Sequence, residues 1–187
     1  TGVYHVLSLV ENLSSQADLP ERIGYKSNML EWLIRRVQVN EVRVEQNKQY
    51  SAELLAILLQ SSQSNRDQFA EMGGVDVTLQ LLSAYRKKDP EKDTDEEEFV
   101  ENVFDCLTCM VDDDIGKEKF LEAEGVELCQ IMLREGKMSK SRALRVLDHA
   151  LGGPTGTSAC ERLVETAGLK TIFGMFMKRQ EKETTEH

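Results

Sequence analysis

Several groups of residues in this 187-residue chain are of types and spacings that could do chemistry. Cys106 and Cys109 form a CxxC pair, the spacing of half a zinc site or of a redox dithiol. A tetrahedral site needs a second pair, and the remaining cysteines, Cys129 and Cys160, stand apart in sequence. Both members of the CxxC also fall inside the helical run EEEFVENVFDCLTCMV, so they read as buried thiols. Asp148 and His149 are neighbours, but adjacent helical residues point about 100° apart and cannot pair with each other; His5 and His187 have no evident sequence partner. The stretch LGGPTGTSAC (151–160) is rich in glycine. It lacks the lysine of a phosphate loop and follows a helix where that motif follows a strand, so it reads as a structural turn.

Carboxylates are the richer signal. Along EEEFVENVFDCLTCMV, residues Phe99, Val100, Val103, Phe104, Leu107 and Met110 fall on one helical face, and Glu98, Glu101, Asn102, Asp105 and Cys109 on the other. The second face is either an ordinary solvated surface or a row of contacts for lysines and arginines of a partner. Asp112, Asp113 and Asp114 close the same run, where acidic charge is unfavourable to the helix dipole. A calcium loop begun at Asp112 would need a bidentate glutamate at its twelfth residue, which is Ala123. That leaves a solvated turn or a basic partner. With Asp148, these acids form the candidate partner-binding set: Glu98, Glu101, Asp105, Asp112, Asp113, Asp114 and Asp148. No catalytic, metal or cofactor-binding constellation is expected.

The elements that must position these residues are helices. Apolar residues recur at spacings of three and four almost everywhere, and strict alternation is nowhere found. The periodicity predicts helices over 3–15, 27–39, 49–61, 66–71, 75–86, 96–111, 117–122, 126–134, 140–151, 159–166 and 169–179, followed by a polar tail over 180–187. No run of 18 or more apolar residues could span a membrane. The net charge of −10, from 33 acidic and 23 basic residues, disfavours nucleic acid as a direct ligand and favours basic protein segments. Free thiols and the absence of a basic leader point to an intracellular setting.

Four segments begin on a glycine followed by an aliphatic residue: GVYHVLSLV at Gly2, GVDVTLQLL at Gly74, GVELCQIML at Gly125 and GLKTIFGMF at Gly168. Short helices precede the last three, in NRDQFAEMG, GKEKFLEAEG and ACERLVETAG. This is an internal repeat. The intervals between the glycines are 72, 51 and 43 residues, against about 40–47 for stacked helical units. The polar RKKDPEKDTD lengthens the middle interval, and the helix in YKSNMLEWLIRRVQ, which fits no repeat position, lengthens the first. Each glycine is expected to separate two helices by taking a positive φ. The fold class is therefore all-α, an armadillo/HEAT-like right-handed solenoid: one domain over 1–187, with units anchored near Gly2, Gly74, Gly125 and Gly168. Trp32, beside the apolar face of MLEWLIRR, is expected in the core, with an interface anchor as the alternative.

The stretches GYKSNMLEWLIRRVQVNE, NKQYSAELLAILLQ, MLREGKMSKSRALRVLDHALGGPTGT and GLKTIFGMFMK resemble the β-catenin-like branch of the armadillo family. That resemblance implies a non-enzymatic, nuclear component of the splicing machinery, in the complex around the cell-division-cycle-five-like splicing factor. It also implies recognition of basic, nuclear-localisation-type segments, including one on a cytidine deaminase. It implies more chain on both sides, with the present segment expected to start and stop on the second helix of a unit; the alternative reading, apart from the resemblance, is a self-assembly module that forms a homodimer through these exposed solenoid ends. The Trp/Asn ladder of importin-type receptors is absent. The aligned third-helix positions hold Leu55 and Leu59, Asp105 and Cys109, and Arg145 and His149, so a basic segment would be recognised by charge and shape.

Overall fold

The computed structural model describes residues 2–185, with side chains described to residue 177. Every regular element among them is a helix: α1 (Gly2–Ser14), α2 (Leu19–Gly24), α3 (Met29–Gln38), α4 (Gln46–Ser61), α5 (Gln63–Glu71), α6 (Gly74–Ser83), α7 (Asp95–Met110), α8 (Asp114–Glu122), α9 (Gly125–Glu135), α10 (Met138–Leu151), α11 (Thr157–Glu165) and α12 (Gly168–Thr185). Helix α12 runs through much of the segment expected to be a polar tail, and residues 186–187 lie outside the described part.

Packing sorts these helices into three rows. The short helices α2, α5 and α8 follow one another; α3, α6, α9 and α12 form a second row; α1, α4, α7 and α10 form a third, with α4 on α7 its most extensive contact. A unit is thus a short, a second and a third helix. Its first helices α2, α5, α8 and α11 begin at residues 19, 63, 114 and 157, steps of 44, 51 and 43.

This corrects the reading of the first unit. Helix α2 is too short to show a periodicity in sequence, and its Pro20 reads as a loop signal, although proline is well tolerated in the first turn of a helix. With α2 in place, α3 is the ordinary second helix of a unit and α1 stands in the third-helix row. Gly2 does not play the part of the other repeat glycines, since a Cβ there would meet nothing.

The remaining glycines do mark breaks between helices, but by a different mechanism from the one expected. The positive φ falls one residue earlier, on Gly73 (73°), Glu124 (57°) and Ala167 (58°). The glycine itself starts the next helix and is needed for closeness. A Cβ on Gly74 would overlap the ring of Phe69, one on Gly125 the ring of Phe120, and one on Gly168 the side chain of Leu163. In each unit the buried side chain five residues upstream lies flat on the glycine, locking the first helix against the start of the second.

The core is continuous from Leu7 of α1 to Leu163 of α11. The expected apolar stripe of α7 is buried in full. Trp32 is not in the core: it is 41% exposed, because α3 buries Leu30, Leu33, Ile34 and Val37 and the ring is carried off that face.

Candidate functional site

Helix α7 is started by its own residues. The Thr94 hydroxyl accepts from the Glu97 N–H at 3.3 Å, and the Glu97 carboxylate accepts from the Asp93 N–H at 2.7 Å, a reciprocal arrangement close to a capping box. Asp95, Glu96, Glu97 and Glu98 occupy the first turn, where negative charge is favourable to the helix dipole. From there the apolar stripe turns inward, and Glu98, Glu101, Asn102 and Asp105 are left on the outer face.

That face forms one wall of a cleft of about 500 Å³, lined by Gln49 and Glu53 of α4 and by Glu97, Glu98, Glu101, Asn102 and Asp105 of α7. Five carboxylates therefore converge. Three of the sequence candidates, Glu98, Glu101 and Asp105, are brought together here. Gln49, Glu53 and Glu97 were not singled out from sequence; Glu53 was detectable as the lone charge in the otherwise apolar run AELLAILL. Gln49 donates to Glu53 at 3.2 Å, which orients that carboxylate without neutralising it.

The acids are not equivalent. Across the next inter-helix boundary, α10 supplies cations to the same face. Arg142 donates from Nε to Glu101 Oε1 at 3.1 Å and from Nη2 to Glu101 Oε2, a two-point pair. Arg145 lies 3.5 Å from Asp105, and His149 Nδ1 is 2.6 Å from Asp112. Among the described residues no cation lies within ion-pair distance of Glu53, Glu97 or Glu98.

The aspartate triplet stands elsewhere, and its reading changes. Helix α8 begins at Asp114, with Asp113 as its N-cap residue, so these two acids open a helix and are favourable to its dipole. Asp113 is held in a network: Arg66 pairs with it, Gln63 donates to it at 3.0 Å, and the Arg66 guanidinium also donates to Leu59 O at 2.8 Å. Its work is to join α5 to α8. Asp112 is engaged by His149, while Asp114 and Asp148 are exposed.

Of the cysteines, Cys106 and Cys129 lie in the core and Cys109 packs against it. Cys106 is fully buried and faces the Ala52 carbonyl; burial pushes its thiol well up. Burial, with Asp105 and Asp112 nearby, pushes Cys109 up to about 11, and burial pushes Cys129 up to about 12, so all three stay neutral thiols at neutral pH. Among the described residues no group of three or more His, Cys, Asp or Glu is arranged to hold a metal. The loop 152–156 is closed by Lys117, whose ammonium donates to the Gly152 carbonyl, so the turn presents an oxygen to a cation of its own chain. No helix among the described residues is long and apolar enough to cross a membrane.

Comparison with known proteins gives a consistent result. The family model described as catenin-beta-like, Arm-motif containing nuclear, matches residues 1–187. The human Beta-catenin-like protein 1 is 41% identical over 181 residues, 97% of this chain and 32% of its own length. The Beta-catenin-like protein 1 homolog of Schizosaccharomyces pombe is 42% identical over 187 residues, 100% of this chain and 33% of its own. The mouse Beta-catenin-like protein 1 is 40% identical over 181 residues. The chain thus spans about a third of the length of these curated relatives.

Proposed function

Since this chain belongs to the catenin-beta-like, armadillo-motif-containing nuclear family, we propose that it is a non-enzymatic protein-interaction scaffold of the nuclear pre-mRNA splicing machinery that holds basic segments of partner proteins in the cleft between α4 and α7. The observation that carries this reading is the convergence of five carboxylates, three of them without a cation within ion-pair distance among the described residues. Stacked helices hold the acids at fixed separations, so a flexible lysine- or arginine-rich segment meets a prearranged row of charges. The partners of this class are basic tracts on splicing factors and, from the family resemblance, on a cytidine deaminase.

The test is calorimetric titration with a lysine- and arginine-rich peptide. Affinity is expected to fall steeply with ionic strength, and Glu53→Gln with Glu98→Gln to weaken binding about five- to tenfold together. Undiminished binding by the double variant would place the peptide elsewhere.

A second reading has its own observation. Helix α1 exposes Val3, Val6, Leu9 and Leu13, Trp32 lines a groove together with Val3 and Val6, and α12 exposes Leu169, Phe173, Phe176 and Met177. Apolar rows of this kind suit self-association through solenoid ends.

A further inference from the structure

The cleft described above contains a competitor for its own ligand. Glu101 and Asp105 line the cleft and at the same time receive Arg142 and Arg145 from α10. Helix α10 has a buried face of its own, Ser139, Ala143, Val146, Leu147 and Ala150, so its packing does not depend on these contacts alone. The pairs are also open to water: the side chains of Arg142 and Glu101 are 33% and 32% exposed. Partly solvated ion pairs are weak and exchange readily. Arg142 nevertheless satisfies both oxygens of Glu101 in the fork geometry that a partner's arginine would use.

We propose that Arg142 is an intramolecular competitor that occupies, on Glu101, the place of an arginine of a bound basic segment, so that full engagement of the cleft requires Arg142 to swing away. The inference rests on the cleft being the site for basic segments. It assigns Glu53, Glu97 and Glu98, which have no cation within ion-pair distance among the described residues, to first contact, and Glu101 to a second stage reached by exchange. The consequence is a threshold. A segment with one or two basic residues fills only the open acids, while a longer basic tract can also displace Arg142 and gain the inner carboxylate. The exchange replaces one two-point guanidinium contact by another, so the partner residue it fits is arginine, whereas lysine returns a single point charge.

The experiment is titration of the full chain with a Gly/Ser peptide carrying several arginines, at low and moderate salt. Arg142→Gln is expected to bind about three- to fivefold tighter than the parent. Arg142→Lys, which keeps the charge and loses the fork, should show a smaller gain in the same direction. Arg134→Gln removes the same charge from an exposed position on α9 outside the cleft and should change affinity far less. Adding Glu101→Gln to Arg142→Gln should abolish the gain. Equal affinity of Arg142→Gln and the parent, or an equal gain from Arg134→Gln, overturns the competitor while leaving the cleft reading intact. Failure of the parent and every variant to bind overturns both. Binding by Arg142→Gln where the parent shows none supports the competitor in its strongest form.

Discussion

At the scale of single residues, the repeat glycines show how a sequence signal can be correct in place and different in cause. Gly125 does separate two helices, α8 and α9, yet the left-handed residue is Glu124. A non-glycine residue there costs about 1–2 kcal/mol, and the packing of Phe120, fully buried on the Gly125 backbone, offsets it. Gly125→Ala should therefore destabilise the protein by about 1–3 kcal/mol, despite a gain in helix propensity of up to about 1 kcal/mol. Phe120 is fully buried, so a Cβ at Gly125 would push its ring into neighbouring core side chains. Gly2→Ala, at a site where a Cβ meets nothing, should be neutral or slightly stabilising, and urea denaturation of the two variants side by side checks the contrast. The candidate acids divide at the same scale. Their positions on α7 were legible in the helical period, whereas the pairing of Glu101 with Arg142 was not, because 41 residues separate the two.

At the scale of elements, α2 is the part hidden from the sequence. Six residues do not complete two turns, so no period can be read from LPERIG. Tertiary contacts hold it instead. Asn65, fully buried, donates from Nδ2 to Pro20 O at 3.0 Å and to Leu58 O at 2.9 Å, joining α2 to the α4–α5 junction. A Cβ on Gly24 would overlap the Asn65 carboxamide, so the two residues are fitted to one another. Asn65→Ala should cost about 2 kcal/mol, since it strips two buried carbonyls of a donor. Gly24→Ala should be costly in the parent and much milder in the Asn65→Ala background, and a double-mutant cycle by thermal denaturation measures that coupling directly. A cycle with no coupling energy would mean that α2 is held by other contacts.

At the scale of the whole molecule, the third-helix row α1, α4, α7 and α10 sets the chemistry of one surface. Apolar side chains dominate its start, on α1; carboxylates dominate its middle, at the α4–α7 cleft; arginines stand at its far side, on α10. The acidic cleft and the apolar face of α1 therefore occupy different stretches of the row and can be tested separately. If the exposed α1 face drives self-association, mass measured by light scattering should rise with concentration. Val6→Asp with Trp32→Ser should hold the protein monomeric without altering its affinity for a basic peptide. A mass independent of concentration in the parent removes the self-association reading and leaves the cleft untouched.

Local pattern in the chain was enough for an all-helical stack of repeated units. Periodicities of three and four are properties of neighbours in sequence, and each of Gly74, Gly125 and Gly168 follows a short amphipathic helix within a few residues. The acidic character of the exposed face of α7 follows from the same local arithmetic. Three things were decided only by tertiary structure: the place of α1 in the third-helix row, the exposure of Trp32, and which carboxylates pair with a cation among the described residues. The first and the last depend on what a helix distant in sequence brings alongside, and the second on which side of α3 the core takes. A helical face can be read from its own residues, but its partner is set by the stacking of units, and that stacking turned seven candidate acids into an open group and a group already held by the protein's own cations.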